Sequence, residues 1–436
     1  MRTKPVRLKN GKQFSIPAVF LTPESVLDGK VLREVNGQFP ETPAGMGLER
    51  IEGFTVYAKD WDRVVQGLKP QPTLEAFYSD NAISRRPIED RPFIVLPELD
   101  FALRGSQPDR KKMLELGLIS EKQFRAIEQI ALESKLTHNQ RLDRTVDEVY
   151  PLLDTTTLVQ SLRFQLDRRT SILAMPSVSV TSVRKFDSQM EKAREMIRNG
   201  HTLLRDVFTG FYGKVDVLNI LTVGASVLKP ENYPSIFSLL ISYAPDHIGL
   251  RIVGLDKAND SQVSNVFNTI SELHTMMEAN DIKAPIHVFN MDHLGYVGWC
   301  YGMSVLSMPI STDPYFFGRR SDETPPKDGV FYNIEDMTYD THEELLRKTR
   351  PNYELPCYCG ICQKYKTIPK VKLAMKWNDF RRRSEVLCRN IELKEIREAP
   401  ARIDEAIKQK LLRSRKLGWT QFIPDKPVIA FAETEA

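Results

Sequence analysis

Four cysteines carry the clearest chemistry in this chain. Cys357, Cys359 and Cys362 stand as C-x-C-x-x-C, and Cys388 follows 26 residues after the last of them. Thiolates are soft ligands, and four of them close a tetrahedral shell with no position left for water, which suits a structural Zn²⁺. An iron–sulfur site is the alternative that spacing alone leaves open. Gly360 gives the loop freedom to fold back around an ion. The segment SEVLCRNIELKEIRE around Cys388 reads as a helix, so the expected site joins a tight loop to a helix and pins a C-terminal insert. No His-Glu-x-x-His run and no open three-ligand set is present, which argues against a zinc hydrolase. The fifth cysteine, Cys300, stands apart, and an odd count in a long chain does not read as a disulfide framework.

A second set of residues lies at the ends of apolar runs. Asp100 closes RPFIVLPELDF (91–101), Asp292 follows APIHVFNM (284–291), and Asp313 follows SVLSMPIS. Carboxylates in such places serve as nucleophile or as general acid and base, although most strand-end acids are loop polars or helix caps. Gly224 ends KVDVLNILTVGA (214–225), and Gly254 lies near the end of HIGLRIVGLD (247–256). Ser177 and Asp256 occupy comparable positions. Tyr315, Phe316 and Phe317, with Tyr296, are aromatic groups able to stack on a base, and Arg319 and Arg320 follow as phosphate partners.

The elements that would position these residues alternate. LVQSLRFQLDRR (158–169), FDSQMEKAREMIRNGHTLLRDVF, YPSIFSLLISYA and VSNVFNTISELHTMMEAN read as helices. TSILAMPSVSV (170–180), 214–225, 247–256 and 284–291 read as strands between them. A strand–helix repeat of roughly 35 residues means parallel βα units, in a (β/α)8 barrel or a doubly wound sheet. A length of 436 residues favours an α/β TIM barrel with a zinc-binding C-terminal insertion. In a barrel, chemistry sits at the C-terminal ends of the strands, which is where the acids and glycines above fall. VRLKNGKQFSIPAVFL near the start reads as a hairpin with a two-residue turn at Asn10-Gly11. Residues 108–150 read as helical and charged. The expected divisions are a hairpin and approach to the barrel over 1–90, a barrel core over 91–350, a zinc subdomain over 351–400 and a basic tail over 401–436.

Apolar residues at 41% and charged residues at 27% allow a large core and exclude global disorder. No apolar run is long enough for a membrane span, and the N-terminus lacks a secretory apolar region, so a cytoplasmic protein is expected. The net charge of +4 is uneven. From Cys357 onward the chain holds 18 Lys+Arg and 10 Asp+Glu, leaving a net −4 on the residues before it. The basic end includes Arg381, Arg382, Arg383, Lys408, Lys410, Arg413, Arg415 and Lys416. Such a block suits a polyanion, and a solvated helix face is the plainer alternative.

The segment LPCYCGICQKY…EVLCRNIELKEIREA resembles the zinc subdomain of the tRNA-guanine transglycosylases, in particular their archaeal-like members. In that family a histidine stands 26 residues after the last cysteine of the motif; here Cys388 holds that place. The likeness extends in order along the whole chain, through RLKNGKQFSIPAVFL, LVQSLRFQLDRRTSILAMPS, ILTVGA, GLRIVGLD and PIHVFNMDHLGYVGWCYGMSVLSMPIS, although only the cysteine motif is specific by itself. The active-site segments depart from the family. Pro97 falls opposite the general-base aspartate, Pro176 opposite the base-recognition aspartate and Ser307 opposite the nucleophilic aspartate.

The resemblance implies an enzyme that exchanges guanine in a nucleic acid for a queuosine-type 7-deazaguanine. It implies DNA rather than tRNA, as in the DNA-guanine transglycosylase (DpdA-type) branch, because no room remains after the zinc region for an added RNA-binding module. It implies structural Zn²⁺ on the four cysteines; because the matching positions lack acids, the carboxylates expected to do the chemistry are Asp313 as nucleophile, with Asp292 as rival, and Asp100 as general base. Gly254 and Gly224 would face the base, and Tyr315 and Arg319 would contact the substrate. A tRNA enzyme, or a subunit without catalysis that binds nucleic acid or a partner, remains the alternative. The assembly implied is a homodimer or hetero-oligomer.

Overall fold

The computed structural model describes residues 3–33, 35, 50–68, 91–97, 107–133, 138–255, 258–289, 291, 294–310, 330–350, 352–399, 401–414 and 417–428. Its centre is a closed barrel of eight parallel strands. After a hairpin of β1 (Lys4–Arg7) and β2 (Gln13–Ile16), the barrel strands follow in chain order. They are β3 (Ala18–Thr22), β4 (Gly53–Tyr57), β5 (Phe93–Leu96), β6 (Ile172–Ala174), β7 (Asp216–Gly224), β8 (His247–Val253), β9 (Ile286–Phe289) and β10 (Val305–Pro309). Each pairs with its sequence neighbours, and β10 returns to β3 with Val305 opposite Ala18 and Pro309 opposite Thr22. The strands are largely buried and mostly apolar, with β3, β4 and β8 buried along their whole length. Among the described residues no helix is long and apolar enough to cross a membrane.

The barrel begins well before residue 91. β3 and β4 are its first two strands, and both lie inside the stretch read as hairpin and approach. AVFL follows the hairpin directly, so it reads as an extension of β2, whereas Pro17 ends β2 and β3 starts a separate ladder. The five residues of GFTVY are all buried, so no polar–apolar alternation marks them. The hairpin forms as expected, but its loop holds three residues. Gly11 N–H donates to the Leu8 carbonyl and Leu8 N–H to the Lys12 carbonyl, with Gly11 at φ +84°. That is a turn followed by a left-handed glycine rather than a two-residue turn.

The hairpin stoppers the N-terminal end of the barrel. Phe14 packs edge-on against Phe20 of β3, with ring centroids 5.3 Å apart, and lies beside His247 and His287. Lys9 N–H donates to Asp216 at 2.6 Å, and the Lys9 ammonium pairs with Asp246. Gly53 faces inward, where a Cβ would come within 2.8 Å of the Phe20 ring.

Two insertions enlarge the barrel. Helices Gln107–Glu115, Glu121–Leu132 and His138–Glu148 stand between β5 and the helix Thr155–Asp167. They enclose Ala58, Val95 and Phe164 in a second, smaller apolar cluster. The other insertion follows β10. It carries an antiparallel pair, β11 (Val330–Asn333) and β12 (Thr338–Thr341), and the cysteine loop. The chain then returns in the 21-residue helix Trp377–Arg397, about 31 Å long, which lies against Val26–Arg33 on the barrel wall. At its start Arg382 bonds to Ser25 and Asp28, just past the C-terminal end of β3. At its end Arg397 bonds to the Pro17 carbonyl and to Glu52 at 3.3 Å, ahead of β3 and β4. It therefore runs antiparallel to the strands and takes the place of the eighth barrel helix.

Among the described residues of the basic C-terminal tail, several pack against the long helix and the barrel. Helix Ile403–Arg413 lies against Trp377–Arg397. Beyond it the Phe422 carbonyl accepts from the Tyr301 hydroxyl at 2.7 Å, and Val428 N–H donates to the Cys300 carbonyl.

Candidate metal centre and barrel mouth

The four cysteines of the motif meet. Cys357, Cys359 and Cys362 come from the loop and the short helix Gly360–Tyr365, and Cys388 comes from the middle of Trp377–Arg397. Gly360 opens that helix, and Lys366, at φ +60°, ends it and sends its carbonyl to Leu355 N–H. The sulfurs of Cys357 and Cys388 are 3.3 Å apart, and those of Cys357, Cys359 and Cys388 all lie within 4.8 Å of one another. All four thiols are free and buried. Sulfurs around an ion at 2.3 Å would stand about 3.8 Å apart, so the spacing fits a bound metal, while 3.3 Å is too long for a disulfide.

Burial pushes the Cys362 and Cys388 thiols up. Burial acts the same way on Cys359, but hydrogen bonds from Cys357, Cys362, Cys388 and Ser384 outweigh it and hold that thiol well down. A buried cluster of four thiols is a donor set suited to a soft divalent ion. The Ser384 hydroxyl, one helical turn before Cys388, lies 3.1 Å from Cys362 and 3.5 Å from Cys359. Tyr358 roofs the outer side, donating to Glu395 at 2.6 Å, and Lys410 pairs with the same carboxylate.

Next to Cys388, a buried polar network fixes the helix to the barrel. Arg389 lies 3.5 Å from Glu392 and 3.7 Å from Glu385, with its guanidinium 4.3 Å from the Tyr332 ring centroid. Glu392 accepts from the hydroxyls of Tyr296 and Tyr332. Burial, then the Glu392 charge, pushes the Tyr332 hydroxyl well above its ordinary value, so it stays a donor. Tyr296 is thus held between barrel and helix and is not at the mouth, where it was expected to offer a stacking face.

The basic block is partly consumed by the same packing. Arg381 is buried and donates to the Val330 carbonyl, Arg382 is tied to Asp28, and Lys410 to Glu395. Lys408 and Arg413 are exposed, while Arg415 and Lys416 lie outside the described residues.

At the barrel mouth, Arg251 of β8 reaches across the interior to Tyr57 of β4, with the guanidinium 5.2 Å from the ring centroid. One layer below, the hydroxyls of Thr55 and Ser307 share a hydrogen bond of 3.0 Å. Gly254, at φ +75°, is exposed on the rim with open space where a Cβ would stand. Gly224 is buried, donates its N–H to the Val180 carbonyl and packs against Thr181. Ser177 turns its hydroxyl to the Val178 carbonyl. Asp100, Asp256, Asp292, Asp313, Tyr315 and Arg319 lie outside the described residues.

Two charged groups on the rim escaped the sequence reading. Lys59 and Asp60 follow β4 directly, 3.3 Å apart, and Lys59 also faces Asp109 of the helical insertion at 3.7 Å. Burial raises the Asp60 carboxyl to about 6 against the pull of Lys59. The only signal for them was their place after a strand, and that strand was not recognised. Ser384 had a better signal, its i, i+4 spacing to Cys388 on one helix.

The chain matches no protein-family model and no curated protein. The class its geometry defines is a closed parallel (β/α)8 barrel whose last helix closes a buried four-cysteine cluster able to hold a metal ion.

Proposed function

We propose that this chain exchanges guanine in a nucleic acid, DNA in preference to tRNA, for a 7-deazaguanine base, with a structural Zn²⁺ on Cys357, Cys359, Cys362 and Cys388. The observation that carries the proposal is the meeting of the C-x-C-x-x-C thiols with Cys388 on the helix that completes the barrel wall. That arrangement is what the resemblance to the guanine transglycosylases requires. A closed sulfur shell has no open position, so the ion serves as a tie between insertion and barrel.

The exchange breaks the bond between C1′ and N9 of guanine as a carboxylate bonds to C1′, giving a covalent glycosyl–enzyme. A second acid protonates the leaving guanine and later takes a proton from the incoming base, whose nitrogen displaces the carboxylate. Asp313 is assigned as nucleophile, with Asp292 as rival, and Asp100 as acid and base. A flipped nucleotide would enter at the rim beside Gly254, where the backbone is open.

One observation favours a second reading. Ser307, opposite the family's nucleophile, is committed to Thr55 inside the barrel. A subunit without catalysis that binds nucleic acid or a partner would have that residue. Incubating the protein with guanine-labelled DNA or tRNA and free 7-deazaguanine separates the readings. Label release from DNA supports the proposal, and release from tRNA alone moves it to the RNA enzymes. Salt-dependent binding with no release in either supports the silent subunit.

A further inference from the structure

Among the described residues, the Ser384 hydroxyl contacts all four sulfurs of the cluster. Its Oγ lies 3.1 Å from Cys362 Sγ, 3.5 Å from Cys359 Sγ, and 3.9 Å from both Cys357 Sγ and Cys388 Sγ. Its relative exposure is 0%. The three other sulfurs form the tight group, and Cys362 approaches them from the short helix Gly360–Tyr365. Cys362 lies nearer this hydroxyl than any of the other three sulfurs does. Cys357 has a separate donor, the Cys359 N–H at 3.4 Å.

We infer that Ser384 is a positioning residue for the metal centre, donating its hydroxyl proton to the Cys362 thiolate and thereby holding Cys362 as the fourth ligand. The inference rests on the metal-centre reading above. The direction of the bond follows from chemistry. A metal-bound thiolate carries no proton, so between oxygen and sulfur only the hydroxyl can donate. The need for the bond follows from charge. Four thiolates around a divalent ion leave a net 2−, and in a site without water that charge is relieved by N–H and O–H donors. The placement follows from the helix. Residues four apart share one face, so the turn that presents Cys388 to the cluster also presents Ser384. A hydroxyl here decides between a closed four-sulfur shell and an open three-sulfur shell, which differ in the metals they retain.

The test uses the full chain loaded with Zn²⁺ and, separately, with Co²⁺, whose sulfur-to-metal charge-transfer band reports the thiolates directly. Ser384→Thr and Ser384→Val have nearly equal volume and differ in the hydroxyl. The Thr variant should bind about one ion per chain with wild-type affinity. The Val variant should lose affinity by roughly 10–100-fold in competition with a chelator. Its Co²⁺ charge-transfer band should move to lower energy, as expected for a sulfur that has lost a donor. A Val variant matching Thr in both measurements overturns the inference, because packing alone would then suffice. If Val fails to fold, Ser384→Ala and Ser384→Gly in the same competition take its place, and wild-type affinity in either overturns it. A wild-type chain that takes up neither ion overturns the metal-centre reading itself, and a band that shifts only on loss of Ser384 hydroxyl supports both.

Discussion

Arg251 and Tyr57 stand on opposite walls of the barrel, yet the guanidinium of one lies 5.2 Å from the ring centroid of the other. β8 and β4 are four places apart in an eight-strand ring, so this pair crosses the lumen just below the C-terminal rim. A cation over an aromatic face is worth about 0.5–2 kcal/mol, more when desolvated. A double-mutant cycle with Tyr57→Leu and Arg251→Met should return a coupling in that range by denaturant unfolding. Additive effects would mean that the two side chains merely share the lumen.

Replacing Cys388 with alanine opens the shell on the barrel side. Elemental analysis should find about one zinc per wild-type chain and substantially less in Cys388→Ala. Cys388→His should retain the ion, because imidazole is as good a ligand as thiolate for this metal. Equal zinc in wild type and the Ala variant would remove Cys388 from the ligand set.

Glu392 ties Tyr296 of the barrel and Tyr332 of the insertion to Arg389 of the long helix. Glu392→Gln keeps the shape but removes the charge facing a fully buried guanidinium. Breaking one partner of such a pair costs about 3–5 kcal/mol. Chemical denaturation should show a loss of that order, and a loss below roughly 1 kcal/mol would mean that the other partners of Arg389, Glu385 and Tyr339 among them, satisfy it.

Asp60 makes stability depend on pH in an unusual direction for a carboxylate. Its folded value is raised from 3.8 to about 6 by burial, so the folded chain holds a proton that the unfolded chain has released. The contribution is present below about pH 3.8 and is lost as pH rises through 6. A shift of about two units corresponds to roughly 3 kcal/mol. Asp60→Asn should therefore gain stability relative to wild type between pH 4 and pH 7. A difference that stays flat over this interval would place the Asp60 charge in a solvated setting.

The βα rhythm was legible from residue 155 onward because helices there are separated by short apolar runs, and two of them, Phe186–Asp206 and Asp260–Ala279, are long. Phe186–Asp206 and Asp260–Ala279 fall where their spacing puts them. The first two barrel strands were hidden for opposite reasons. β3 abuts a true hairpin and merges with it on paper, while β4 is five buried residues among turn formers. The cysteine cluster was legible from spacing alone, because ligand geometry leaves few ways to place four thiols. Its supporting residues were not. Glu392, Tyr296 and Tyr332 come from three distant segments, and nothing local marks a tyrosine as the donor to a buried carboxylate. The basic block misled for the complementary reason. Charge counted along a chain does not reveal that Arg381, Arg382 and Lys410 point inward to carbonyls and carboxylates.

The join between β10 and β3 also sets an order of events during synthesis. β3 is the first of the barrel strands to be made, but its partner Val305–Pro309 follows only after the other six. Until then the growing sheet has an open edge at β3, covered on one side by nothing that has yet been translated. Cys388 appears later still, after the ring can close. An ion held by all four thiols could therefore be captured only after the ring can close. A nascent chain with no ion on these thiols would reach a closed barrel before its last wall is fastened, leaving that wall the first part exposed to a protease.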